Sequence, residues 1–204
     1  MNLSNLLRQR ADVWRSADRL PAARPAVATG CEVLDAQFAG GWPQGAITEI
    51  LCDDGAGALK LVMPALASLS RRTRWLVLVS PPYIPYAPGF AAYGVDLSRL
   101  FLVQPKTWQE RLWALEQALR SGTCSAVLAW PERLTGAVLR RLQLAAEMGE
   151  SSGFLFRSEA AAAEASAAVL RLRVSRCGAQ TEVDILKRRG GWPVRGLRLK
   201  PPCC

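Results

Sequence analysis

Residues 47–61 read Ile-Thr-Glu-Ile-Leu-Cys-Asp-Asp-Gly-Ala-Gly-Ala-Leu-Lys-Leu, a short apolar run followed by small residues and the start of a helical pattern. Strand, turn and helix in this order form the setting of the phosphate-binding template G-x-x-x-x-G-K-[ST]. Its glycines let backbone N–H groups converge on phosphate, its lysine bridges phosphate oxygens and its hydroxyl holds Mg²⁺. The positions here that match the two glycines, the lysine and the hydroxyl are Cys52, Gly57, Ala58 and Leu59. Three of the four groups are missing, and Asp53 and Asp54 set negative charge against an incoming triphosphate. Gly55 and Gly57 remain as residues that make the turn. The segment has the outline of a nucleotide site without its chemistry.

On either side of this stretch the chain alternates between strand and helix patterns. Ile47 to Leu51 and Trp75 to Val79 are apolar runs of the kind that buried parallel strands show, with a helix expected over Leu59 to Ser70. Trp108, Leu112, Leu115 and Leu119 recur at helical spacing and predict one buried stripe, ended by Ser121-Gly122. Ser125 to Trp130 reads as the next strand, and Thr135 as the cap of a helix whose Val138, Leu142 and Ala145 share a face while Arg140 and Arg141 point away. Gly153 to Phe156 is a further strand. Glu159 to Ala168 is alanine-rich and reads as either helix or loosely ordered loop. Val169 to Val174 and Glu182 to Leu186 look antiparallel across Gly178, with Leu197 to Leu199 as the last strand. The pattern is that of an α/β domain with a mostly parallel central sheet flanked by helices and antiparallel strands at its C-terminal end.

Composition limits the function classes. Half of the 204 residues are apolar, enough for one substantial core. There is no uninterrupted apolar run of membrane-spanning length and no segment of signal-peptide type, so a cytoplasmic protein without membrane contact is expected. No histidine occurs, and cysteines 31, 52, 124, 177, 203 and 204 lack C-x-x-C spacing, so no metal site and no cofactor are expected. Cys203 and Cys204 read as part of a frayed tail, residues 201–204. The charge of +9 is uneven: five arginines against two aspartates in residues 1–24, twelve basic against thirteen acidic in 25–170, and nine against two in 171–204. Basic ends on a near-neutral body suit nucleic acid or an acidic protein surface, the alternative being that they serve solubility alone. Residues 1–25 read as a weakly amphipathic basic helix and linker, with Arg8, Trp14 and Arg15 as a candidate partner arm, ahead of a domain over 26–200.

Three stretches together resemble the RecA-type core. Thr29-Gly30-Cys31-Glu32-Val33-Leu34-Asp35 followed by Gly40-Gly41-Trp42-Pro43-Gln44-Gly45 is similar to the string that leads into its phosphate loop. Tyr93-Gly94-Val95-Asp96 to Gln104-Pro105 resembles its turn and strand ending in Q-P, and Glu116 to Ala129 the helix and strand that end in the magnesium-binding aspartate. At that last position stands Trp130, and where the catalytic glutamate would be stands Pro82. The resemblance therefore implies a RecA-like fold with phosphate, metal and water-activating groups all lost, and hence no enzyme.

Among such chains this one resembles the ImuA family, on Val13-Trp14-Arg15, the Thr29-Gly30 to Gly45 string, Arg74-Trp75 and Leu186-Lys187-Arg188-Arg189-Gly190-Gly191. That resemblance implies an adaptor of SOS-induced, error-prone translesion synthesis that contacts RecA, an ImuB-type polymerase relative and an error-prone replicative-type polymerase. The related SulA group shares the Arg74-Trp75 strand and the Leu119-Arg120-Ser121-Gly122 to Leu128 region. It implies instead a cell-division inhibitor that binds the division tubulin FtsZ. A residual ATP-dependent DNA-binding protein is the third alternative. Lys187, Arg188, Arg189 and Trp192, with Arg157, are candidate contacts to DNA or a partner, the alternative being a solvated hairpin end for the cluster and packing against Pro193 for Trp192. Tyr83, Tyr86, Phe90 and Tyr93 in a proline-rich stretch suit protein recognition or burial against the neighbouring helix.

Overall fold

From Pro25 the chain forms a small antiparallel pair, β1 (Ala26–Val27) with β2 (Trp42–Pro43), around the short helix α1 (Glu32–Gln37). The computed structural model describes residues 25–53, 56–177 and 180–199. Arg8, Trp14, Arg15, Asp54, Gly55, Cys203 and Cys204 therefore lie outside the described residues. Gly41 is what allows β1 and β2 to meet: at φ +135° a Cβ there would stand 2.1 Å from the Val27 carbonyl oxygen. The pair buries Trp42 completely, edge-on to Phe154 of the main sheet at 5.5 Å between ring centroids.

The main sheet then builds in strand–helix alternation. β3 (Ala46–Leu51) leads through α2 (Ala56–Ser70) to β4 (Trp75–Val79). α3 (Ala87–Ala92) and a 3₁₀ turn (Leu97–Arg99) lead to β5 (Leu100–Val103). α4 (Trp108–Arg120) precedes β6 (Cys124–Ala129), and α5 (Gly136–Gly149) precedes β7 (Ser152–Arg157). After a 3₁₀ turn (Glu159–Ala163), β8 (Leu170–Cys177), β9 (Gln180–Lys187) and β10 (Val194–Leu199) complete the eight strands. Their order is β10-β9-β8-β3-β7-β6-β4-β5, parallel from β8 to β5 and antiparallel from β8 through β9 to β10. The expected mixed sheet with a C-terminal antiparallel end is present.

Every residue of β3, β6 and β7 is buried, as a parallel sheet covered on both faces requires. One core lies under α1 and α2 and includes Ile50, Leu66, Leu78 and Phe154. The other lies under α4 and α5 and includes Ile47, Leu119, Val127 and Leu142. α2 begins earlier than the apolar spacing predicts, because Ala56, Gly57 and Ala58 are too small to mark a face. The alanine-rich segment after β7 is not a full helix: a 3₁₀ turn over Glu159–Ala163 is followed by irregular chain.

α4 starts on a reciprocal capping box: Thr107 Oγ1 accepts from Glu110 N (3.2 Å), and the Glu110 carboxylate accepts from Thr107 N (3.0 Å). These bonds hold the Glu110 carboxyl below its usual pKa. Thr107→Ala is expected to cost about 1 kcal/mol, or about 2–4 °C in Tm, read by thermal melting.

Candidate functional site

In an open parallel sheet, ligands meet the carboxyl ends of strands whose outgoing connections leave to opposite faces. Such crevices include those between β3 and β7 and between β4 and β6. The β3–β7 crevice is closed by the chain itself. Cys52 N donates to the Arg157 carbonyl at 2.9 Å, carrying the pairing one residue beyond β3. Asp53 Oδ1 then accepts from Ser158 Oγ (3.2 Å) and Glu159 N (3.0 Å), so its carboxylate is engaged in holding the turn after β7. Ala58 is fully buried and Leu59 packs against the core. Gly57 lies inside α2 rather than in the turn, which corrects the reading of it as a turn residue. Apolar side chains thus stand at the positions matched to the template's lysine and hydroxyl.

The β4–β6 crevice is open. It is a groove of roughly 340 Å³ whose lining includes Leu59, Met63, Leu78, Phe90 and Trp130. Trp130 stacks on Phe156 with ring centroids 4.9 Å apart and planes 13° from parallel. Beyond β4 the chain turns at Ser80, a non-glycine residue at φ 48°, into Pro81 and Pro82. The groove also takes in Tyr83, Ile84 and Tyr86, which are 83%, 87% and 74% exposed. Of the aromatic residues read from sequence, only Phe90 is buried; Tyr93 is 42% exposed. Prolines 81, 82, 85 and 88 restrict this backbone, so docking onto it costs little ordering entropy. Ile84 was not legible as a site residue, since between a tyrosine and a proline it carries no periodic signal.

A second constellation is buried. Glu49 in the middle of β3 is wholly inaccessible, and it accepts from Arg157 (2.7 Å to Oε1) and Arg171 (2.7 Å to Oε2). Arg157 also donates to Glu164 Oε2 at 2.7 Å, while Arg171 donates to the carbonyls of Ala161 (2.5 Å) and Glu164 (2.9 Å). Burial opposes the charge on Arg157, but the hydrogen bonds to Glu49 and then Glu164 outweigh it and raise its pKa. The cluster straps the segment after β7 onto β3 and β8. This corrects the reading of Arg157 as a contact residue: at 4% exposure and doubly ion-paired, it has no surface to offer DNA. The signal in the sequence was Glu49 itself, a carboxylate inside an apolar strand.

Lys187, Arg188, Arg189 and Trp192 lie around the β9–β10 turn. Arg188 is not available to phosphate, because its guanidinium donates to the Trp192 carbonyl (3.0 Å) and to Gln37 O and Oε1 (both 2.7 Å). Lys187 Nζ donates to the Ser166 carbonyl at 2.8 Å. Arg189 and Trp192 are exposed.

The family model "Cell division inhibitor SulA" matches residues 45–153, from the turn before β3 into β7. The chain belongs to the SulA family. A SulA cell-division inhibitor of Edwardsiella piscicida is 34% identical over 99 residues, 48% of this chain and 59% of that protein. One from Pectobacterium atrosepticum is 33% identical over 146 residues, 71% of this chain and 79% of that protein. RecA of Crocosphaera subtropica is 25% identical over 142 residues, 70% of this chain and 40% of RecA's length. The match thus spans less than two thirds of the Edwardsiella and Crocosphaera proteins. Within the SulA-matched span lie the whole β4–β6 groove and the sheet beneath it. Among the described residues no helix is long and apolar enough to cross a membrane.

Proposed function

We propose that this protein is a non-catalytic, SulA-type inhibitor of cell division that works by protein contact, with FtsZ as the target that the resemblance implies. The observation that carries this reading is the β4–β6 groove. Where a RecA-type enzyme would place its water-activating carboxylate and its magnesium ligand, this chain has Pro82 and Trp130, which line an aromatic groove. Exposed aromatic side chains on a proline-restricted backbone over an apolar floor are the makings of a protein-binding hot spot. The test is sedimentation of FtsZ polymers with GTP: stoichiometric protein is expected to reduce the pelleted fraction severalfold. Undiminished polymer at a tenfold excess would refute the reading.

A second reading, an adaptor of translesion synthesis that binds RecA, an ImuB-type protein and an error-prone replicative-type polymerase, draws on a different observation. The β1–α1–β2 unit precedes the SulA-matched span and carries the lead-in string with Trp42 at its core. Similarity to RecA over 70% of the chain supports the same reading. Co-purification with RecA and an ImuB-type protein at near-physiological salt is the expected result, and loss of both interactions would exclude it.

A further inference from the structure

Residues 185–204 hold six basic side chains and no carboxylate. The two acidic residues of β9 are already engaged: Glu182 lies 3.6 Å from Arg198 Nε, and Asp184 lies 3.5 Å from Arg173 Nε while accepting from Gly196 N at 2.8 Å. Arg189 and Arg195, both exposed, have no ion pair among the described residues. The turn that carries Arg189 is not loose. Arg188 pairs with Gly191 across it and pins it to the end of α1 through Gln37. Gly191 is needed for this, since a Cβ there would stand 2.3 Å from Arg188 Nε.

On this pinned turn Trp192 is 85% exposed. A large aromatic plane left in water on a rigid support, beside arginines without counter-charges, matches the two parts of a single strand: base faces and phosphates. We propose that the β9–β10 turn binds single-stranded nucleic acid, with the Trp192 indole stacking on an unpaired base and Arg189 and Arg195 neutralising phosphates. Arg188 acts by positioning the turn. A duplex keeps its bases stacked and so offers the indole nothing, while an acidic protein would use the charges alone.

The test is fluorescence anisotropy with labelled oligothymidylate of about 15 nucleotides at low salt. Trp192→Ala is expected to weaken binding about tenfold or more with an unchanged melting temperature. Arg189→Ala/Arg195→Ala should lower the slope of log affinity against log salt by about 1.4, near 0.7 for each single-strand phosphate contact. Absence of binding at low salt overturns the proposal. So does a Trp192→Ala variant that binds as tightly as the parent, duplex bound as well as single strand, or polyglutamate competing as effectively as unlabelled oligothymidylate. Inhibition of FtsZ assembly by Trp192→Ala should be unaltered, which separates this surface from the β4–β6 groove.

Discussion

Glu49→Ala is expected to lower the unfolding free energy by about 3–5 kcal/mol, because it strands two buried guanidinium groups on the carboxylate they share. That is a large part of the roughly 5–15 kcal/mol that holds a domain of ordinary size together, and it corresponds to a fall in Tm of roughly 10 °C. Arg157 keeps Glu164, and Arg171 keeps its carbonyl acceptors, but both lose the fully inaccessible partner. Glu49→Gln should fall between parent and alanine variant, since it retains an acceptor but not the charge. Replacing Glu49, Arg157 and Arg171 together with apolar residues of similar volume should recover most of the loss, because it removes all three desolvation penalties at once. Denaturant titration reads each value. A Glu49→Ala variant within about 1 kcal/mol of the parent would mean that the charges are not held as described. Hydrogen exchange should also rise first in residues 158–168, the segment the cluster straps down.

The second large effect is functional. Ile84→Asp combined with Tyr86→Ala is expected to abolish inhibition of FtsZ assembly, with apparent affinity falling about 30-fold or more for each side chain lost, since central aromatic and apolar anchors each carry about 2 kcal/mol or more of binding. The same pair should leave the melting temperature within about 2 °C, because both side chains are largely exposed and anchor nothing in the fold. A stable double variant with full inhibitory activity would show that the β4–β6 groove is not the contact surface. Phe90→Ala serves as the contrast. That side chain is buried, so stability and activity should fall together.

The sheet was largely legible because its strands are continuous apolar runs and its helices show clear spacing. Trp75–Val79 has the bounds its sequence predicts, and Thr135 caps the following helix through Val138 N. β1, α1 and β2 were not legible as elements. Their residues instead carried a motif, and two-residue strands have no periodicity to read. The candidate site divides the same way. The departures from the template at Ala58, Leu59, Pro82 and Trp130 could be read, but exposure could not. Tyr83 and Phe90 look alike in a proline-rich segment, and only the packing of α3 against the sheet buries one and leaves the other in water.

Residue identity alone determined that the lysine and hydroxyl of the phosphate-binding template are missing at Ala58 and Leu59, since a side chain the sequence lacks is absent in any fold. Local patterning likewise determined most of the strands and helices, since their periods reflect backbone geometry. Tertiary structure decided which charges are available. Arg157 and Arg188 looked like Arg189 in the sequence, yet one is locked between two carboxylates and the other pins a turn. It also decided that Asp53, just past β3, holds the turn after β7, and that the open groove lies elsewhere, between β4 and β6. The reason is physical. Whether a polar group faces water or a partner depends on which distant segments the sheet brings beside it, and neighbours along the chain do not encode that.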